Sequence, residues 1–163
     1  MKLHHAIRAG LLLAISTTAF AQAPAGGQQQ PPQDTSMSFF VTSTGLGKGA
    51  NLGGLAGADA HCKALAEAAG VTGKTWHAYL STNGAGGVNA KDRIGKGPWY
   101  NANGVLVARS VDHLHYSNVL LTKENSVTEK KGVVNGVGDT PNQHDILTGS
   151  NADGTASDQT CNN

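Results

Sequence analysis

Glycine is the feature that most restricts what this chain can fold into. The 163 residues include 22 glycines, most of which follow Thr44, and only 5% of the residues are aromatic. Glycine loses more conformational freedom on folding than any other residue, so it weakens the interiors of helices and strands. We therefore expect few regular elements, connected by long loops rich in glycine and asparagine.

The first 21 residues have the pattern of a secretory signal peptide. Lys2 and Arg8 lie in a polar opening, an apolar run starts at Leu11, and small residues flank Phe20 and end at Ala21. This order is typical of export, and the apolar run is too short for a permanent membrane span. We expect cleavage after Ala21, a periplasmic or secreted protein, and no transmembrane segment after removal of the signal.

Residues 22–36 predict a disordered linker. They are rich in Gln, Pro and Gly and nearly free of apolar side chains, so they cannot bury enough surface to offset the entropy of ordering. The remaining residues, 37–163, have the length of one domain.

The charge balance argues against two classes of partner. Once Lys2 and Arg8 leave with the signal, 10 of the 12 Lys and Arg remain, against 11 Asp and Glu. These charges are interspersed, whereas nucleic-acid binding and basic attraction to a membrane surface both need a concentrated positive patch. We expect no nucleic-acid partner.

One helix and several short strands are predicted. In "GADAHCKALAEAAG", residues 57–70, a narrow apolar stripe recurs at helical spacing, and Gly70 fits the position that ends a helix in a left-handed turn. The stripe consists of Ala58, Cys62, Leu65, Ala66 and Ala69. "MSFFVTST" (37–44), "KTWHAYLS" (74–81), "GVLVARS" (104–110), "NVLLT" (118–122) and "HDILTGS" (144–150) read as strands. The predicted class is α+β, with one main helix, short antiparallel strands and much coil.

A relaxed phosphate-loop pattern, "AAGVTGKT" from Ala68 to Thr75, does not predict nucleotide binding. A phosphate loop needs a strand before it and a helix after it, so that backbone N–H groups point at the phosphate. Here a helix precedes the pattern and a strand-like segment follows it. The simpler interpretation is a helix end followed by a turn, and we expect no nucleotide partner.

The sequence contains two candidate sets of metal ligands. His113 and His115 would share one face of a strand, where with Asp112 or His144 they could bind zinc; a polar, solvated strand face is the favoured alternative. Asn151, Asp153 and Asp158 could offer oxygen ligands to calcium, but the spacing is not that of an EF-hand, and turn-forming side chains explain the composition as well. We expect no required cofactor.

No catalytic motif is present. The chain contains neither a G-x-S-x-G nucleophile turn nor an HExxH metal motif, and no pair of carboxylates is singled out. The sequence therefore predicts a protein that is not an enzyme.

Cys62 and Cys161 are the two cysteines of the sequence. Export into an oxidising compartment predicts a disulfide between them. By chain entropy, a bond that closes a loop of about 100 residues would stabilise the domain by roughly 4–5 kcal/mol.

Three segments resemble endostatin, the C-terminal module of certain collagens, and exported bacterial proteins loosely called lectins. "LAGADAHCKALAEAAGVTGKTWHAYLST" is similar to the helix and following strand of that family, with its Gly-Ala-Asp helix start and a cysteine three residues after the Asp. "VNAKDRIGKGPWYN" and "QHDILTGSNADGTASDQTCNN" resemble later family segments in order and spacing. The resemblance implies a C-type-lectin-like (endostatin-like) domain over residues 37–163.

The resemblance also implies a different fate for the cysteines. In endostatin the cysteines that match Cys62 and Cys161 each bond to another cysteine, and neither partner occurs in this chain. On that basis the domain would lack a C-terminal segment, and residues 37–44 would lack their strand partner. The calcium- and sugar-binding tripeptides of true C-type lectins, and the zinc and heparin sites of endostatin, have no match here.

These observations favour an exported, non-catalytic binding module for a glycan or another extracellular ligand. The candidate ligand-binding residues are His144, Asn151, Asp153 and Asp158 on loops, with Trp99 and Tyr100 as stacking surfaces. One alternative is a structural domain that assembles with an envelope protein, which a large exposed apolar patch would favour. A metal-dependent hydrolase using His113, His115 and His144 is the weakest alternative.

The mass of the exported protein tests both the cleavage site and the cysteine pairing. Non-reduced protein, alkylated at free thiols, should have the mass of residues 22–163 less two hydrogens if Cys62 bonds to Cys161. Two alkylated thiols or a heavier chain would instead support the pairing that the resemblance implies.

Overall fold

The structure, a computed structural model, describes residues 33–117 and 120–160, and those from Asp34 onward belong to one compact unit. The predicted signal peptide with its cleavage site at Ala21, linker residues 22–32 and Cys161 lie outside the described residues. The elements are α1 (Gly54–Ala68), α2 (Ala90–Arg93), β1 (Trp99–Tyr100), β2 (Leu106–Ala108) and α3 (Val111–Tyr116). The α+β class is confirmed at this level, as helices combined with a small two-stranded sheet.

The main helix is confirmed as α1, and the way it ends explains why it was predictable. Gly70 has a φ of 86°; its N–H donates to the carbonyl of Glu67, and the N–H of Val71 donates to that of Ala66. These two bonds form a Schellman motif, in which a glycine supplies the left-handed residue. Of the predicted stripe, Ala58 and Ala66 are buried and Cys62 and Leu65 half-buried, whereas Ala69 is exposed.

Most of the predicted strands are wrong, because their segments find too few backbone partners for a ladder. Residues 37–44 make a single parallel bridge, Val41 to Thr128, and residues 74–81 make no ladder at all. "GVLVARS" is confirmed by β2, which pairs antiparallel with β1. The described part of "NVLLT" forms no strand, and in "HDILTGS" only Ser150 forms a bridge.

The strand predicted at His113 and His115 is also wrong, because this segment forms α3. Ser110 precedes the helix, and its hydroxyl accepts a hydrogen bond from the N–H of His113 at 3.2 Å, as an N-cap does. Two residues apart on a helix, the imidazoles do not share a face. None of the helices in the described ranges is long and apolar enough to cross a bilayer.

The last residues of the predicted linker touch the domain. Lys74 Nζ lies 2.5 Å from the hydroxyl of Ser36 and 3.5 Å from the carboxylate of Asp34. The described unit therefore begins at Asp34, three residues before the predicted domain start at Met37.

The core is small. Met37, Ala66 and Trp76 are buried together, and Phe40 packs against Trp76 edge to face, with ring centroids 5.0 Å apart. Cys62 and Val71 border this cluster. With so little apolar volume, the position of the loops depends on polar contacts as well.

Asp59 links three segments that no sheet connects. Its carboxylate accepts hydrogen bonds from the N–H of Ala78 at 2.8 Å, from Arg93 of α2 at 2.7 Å, and lies 3.2 Å from Nδ1 of His77. Arg93 in turn donates to the carbonyl of Ala78. Burial raises the pKa of Asp59, but these donors outweigh burial and hold it below its usual value.

The buried side chain of Asn101 makes hydrogen bonds that hold the turn between β1 and β2. It is 1% exposed; its side-chain oxygen accepts from the N–H groups of Asn103 and Val105, and its amide nitrogen donates to the carbonyl of Asn125 at 3.0 Å. All three bonds are to backbone groups, so this side chain fixes the path of two loops at once.

Replacing Asn101 should destabilise the protein strongly. The change Asn101→Ala removes three hydrogen bonds made by a buried side chain, and we expect a loss of about 2–4 kcal/mol in the free energy of unfolding, measured with urea. Asn103→Ala is the matched control, because Asn103 is exposed and its side chain makes no hydrogen bond to the described residues. Equal effects of the two changes would contradict the role given to Asn101.

Candidate functional site

A groove of about 520 Å³ is the candidate site. The groove lies between residues 41–45, the start of α1, and the loops at residues 128–134 and 143–149. Its apolar lining includes Val41, Leu52, Leu55, Leu80, Val133, Val134, Ile146 and Leu147. Its polar lining includes Thr42, Ser43, Thr44, Ser81, Thr82, Thr128, Gln143, Asp145, Thr148 and Gln159.

One side of the groove is a segment fixed at both ends. The N–H of Gln143 donates to the carbonyl of Asn135 at 3.2 Å, and the carbonyl of Thr148 accepts from the N–H of Ser81 at 2.9 Å. Between them Ile146 and Leu147 are exposed, Leu147 by 77%. The segment is therefore held in place while its apolar side chains face solvent.

Ser81 supports the Gln143–Thr148 side of the groove from the interior of the domain. It is buried, and its hydroxyl contacts that of Ser150 at 2.7 Å and accepts from the N–H of Ala90, at the start of α2, at 2.8 Å. One small side chain thus joins the groove to α2 and to the loop that follows Thr148.

Glu129 supports the opposite side. Its carboxylate accepts the backbone N–H of Ser43 at 3.0 Å and also binds the Ser43 hydroxyl, and its side chain is 1% exposed. Burial raises the pKa of Glu129, but the bonds from Ser43 outweigh it and the pKa lies below its usual value. The ionised carboxylate therefore holds residues 41–44 against the turn that follows Val127.

The lining limits what the groove can bind. Among the described residues, the lining contains no aromatic side chain on which a sugar ring could stack, and Asp145 is the single charged residue there. Its hydroxyl and amide groups can form hydrogen bonds, and its aliphatic side chains can bury apolar groups. A neutral or cationic ligand with aliphatic parts suits this surface.

The predicted ligand residues are not brought together. His144 lies beside the groove and pairs with the exposed Asp145 at 2.9 Å. Asn151 and Asp153 belong to a neighbouring turn, where Asp153 accepts both the N–H and the hydroxyl of Thr155. The side-chain amide of Asn151 is also used within this turn, so the turn-forming alternative to calcium binding describes these residues.

The remaining three predicted residues have other roles. Asp158 lies on an exposed turn, where its carbonyl accepts from Asn83 at 3.5 Å. Tyr100 is buried in β1, with 6% of its surface exposed, so little of its ring is open to a stacking ligand in this structure. Trp99 is half-buried beside Gly97, as loop packing would place it.

The histidines proposed for zinc do not form a group. His115 Nδ1 donates to the carbonyl of Val111, which leaves Nε2 to accept from the hydroxyl of Tyr79 at 2.8 Å. His113 contacts Arg109. Within residues 33–117 and 120–160, no three His, Cys, Asp or Glu side chains are placed to hold a metal ion.

Cys62 borders the core and makes no disulfide with any described residue. Burial, and then the negative charge of Asp59, raises its pKa, so the thiolate is disfavoured. Because Cys161 lies outside the described residues, the bond between the two cysteines stays a prediction.

The groove residues Ile146 and Leu147, and Glu129, which supports the groove through Ser43, are not among the predicted site residues. "HDILTGS" contains a signal, since an apolar pair stands within glycine- and asparagine-rich sequence, but by itself the segment reads as a strand. Nothing in the sequence pairs Glu129 with Ser43, 86 residues away.

No family model, curated protein or solved structure matches the chain.

The contact between Glu129 and Ser43 predicts a pH dependence. A carboxylate with a lowered folded-state pKa stabilises the protein above its unfolded pKa, of about 4.3 for Glu, and that stability is lost as the pH falls through the folded pKa. Glu129→Gln should therefore lower stability at neutral pH and reduce the further loss on acidification, as measured by urea unfolding at several pH values.

Glu67→Gln controls for removing one negative charge, because Glu67 lies on the exposed face of α1. If both variants keep the wild-type pH profile, the carboxylate of Glu129 does not hold the groove wall.

Proposed function

We propose that the chain is an exported, non-catalytic binding module that binds a segment of a partner protein in the groove. The observation that carries this proposal is the exposed aliphatic side of the groove, formed by Val133, Ile146 and Leu147. Large exposed apolar patches are uncommon on soluble monomers and mark interaction sites, and these three exposed side chains line the same groove. The partner would be an extracellular or envelope protein.

The proposal includes the fold family and the location. We propose a C-type-lectin-like, endostatin-like domain in the periplasm or outside the cell, on the strength of the three similar segments and the signal-like start. Export of a tagged full chain tests the location, and an experimental structure of the purified protein tests the family.

Glycan binding is the second candidate. The groove offers the hydroxyls of Ser43, Thr44 and Thr128 and the amides of Gln143 and Gln159, which could bond to sugar hydroxyls. Without an aromatic face this candidate is weaker, and a glycan array probed with folded protein tests it directly.

Leu147→Asp should weaken partner binding without unfolding the protein. Leu147 is exposed, so the change costs little stability, but it places a charge where an apolar contact should form. Peptides selected from a random display library against the wild-type protein should bind the variant at least about tenfold more weakly, a loss of about 1.4 kcal/mol by calorimetry.

Val137→Asp is the matched control. Val137 is also exposed, by 82%, but it does not line the groove. The proposal fails if no peptide is selected, or if the two variants lose binding equally.

A further inference from the structure

An asparagine followed by a glycine is a chemically fragile pair, and the sequence contains three such pairs. They are Asn83-Gly84, Asn103-Gly104 and Asn135-Gly136. In each pair the backbone nitrogen of the glycine can attack the side-chain carbon of the asparagine, because glycine has no side chain to obstruct the approach. The pairs share this local chemistry, so the fold decides which of them reacts.

In two of the pairs the attacking nitrogen is already engaged. The N–H of Gly104 donates to the carbonyl of Asn101 at 2.9 Å, within the turn between β1 and β2. The N–H of Gly136 donates to the carboxylate of Asp139 at 2.7 Å, and Gly136 is buried. An amide held in a hydrogen bond must leave that bond before it can react, as it must before its hydrogen exchanges with water. The fold therefore protects the second and third pairs.

The first pair lies in a loop that does not protect it. Asn83 and Gly84 are both exposed, and among the described residues the N–H of Gly84 makes no hydrogen bond. The loop has a backbone bond of its own, in which the N–H of Gly87 donates to the carbonyl of Gly84 at 3.0 Å. That bond uses the oxygen of Gly84 and leaves its nitrogen free to attack.

The side chain of Asn83 contacts a segment that leads to the groove. Its amide nitrogen donates to the carbonyls of Ser157 and Asp158 at 3.4 and 3.5 Å, and the next residue, Gln159, lines the groove. These distances are long for hydrogen bonds, so the amide is weakly held. A carboxylate in its place has no donor and would set negative charge against two carbonyl oxygens.

We propose that Asn83 is a site of spontaneous deamidation, the first of the three pairs to react in the folded protein. The Gly84 nitrogen forms a bond to the side-chain carbon of Asn83, and the side-chain nitrogen leaves as ammonia with the Gly84 proton. The cyclic imide then takes up water and opens to aspartate or isoaspartate. The product adds negative charge to the loop and weakens its contact with residues 157–158. This inference does not depend on what the groove binds.

The test follows deamidation of the purified full chain at mildly alkaline pH, by peptide mapping that separates the isoaspartate product. Folded protein should convert Asn83 at least about tenfold faster than Asn103 or Asn135, because a hydrogen-bonded amide is open in only a fraction of molecules. In urea the difference should largely disappear, since all three nitrogens are then free. Equal rates in the folded protein, an unreacted Asn83, or the same ratios in urea would overturn the proposal.

A pair of variants tests the protection of the third site. Asp139→Ala releases the N–H of Gly136 and should raise the deamidation rate of Asn135 at least about threefold. Lys123→Ala is the matched control, because it removes the ion-pair partner of Asp139 but keeps the bond to Gly136. If neither variant changes the rate, or both raise it equally, the engaged nitrogen is not what protects Asn135.

Asn83→Asp reproduces one product of the reaction. Hydrogen exchange at the amides of Ser157 and Gln159 should be faster in this variant than in the wild type, because the donors to residues 157–158 are lost. Asn103→Asp adds the same charge at an exposed residue on another turn and should leave both amides unchanged. Exchange that is the same in both variants contradicts the effect assigned to deamidation at Asn83.

Discussion

The carboxylate of Asp59 holds together parts of the chain that no β-sheet connects. Through Ala78, His77 and Arg93 it ties α1 to the segment after it and to α2. Ser81 and Glu129 act in the same way further along. Ser81 and Glu129 are buried and Asp59 is partly buried. A polar group removed from water is costly unless its hydrogen bonds are made, so each of these groups fixes its surroundings closely. The fold thus uses polar side chains where other small domains use ladders of backbone bonds.

The groove results from this use of side-chain hydrogen bonds in place of a sheet. Glu129 holds one wall through Ser43, and Ser81 holds the other through Thr148, so neither wall needs to pair with the other. In a sheet, the space between two such segments would be closed by backbone hydrogen bonds. Here it stays open, and the apolar side chains that a neighbouring strand would cover face solvent instead.

The elements that can be predicted from the sequence are those that interactions between nearby residues determine. α1 has an apolar stripe, and Gly70 supplies its end within two residues of the last helical turn, so both were predictable. In α3, the alternation of "VDHLHY" favoured a strand, while the N-cap Ser110 decided for a helix. Strands depend on partners far away in sequence, which explains why residues 37–44 and 74–81 were misassigned. The candidate site depends on the same long-range contacts, and the ligand residues chosen for their chemistry lie outside its lining, although His144 is next to it.

Several of the reactive side chains make contacts that hold the fold together. In His115 both nitrogens are engaged, by Val111 and Tyr79, and the Asp59 carboxylate is shared among three donors. Burial raises the pKa of the Cys62 thiol beside the core, which disfavours its thiolate. By contrast, Ile146 and Leu147 on the Gln143–Thr148 segment are exposed and line the groove, so these aliphatic side chains remain available for contact with a partner.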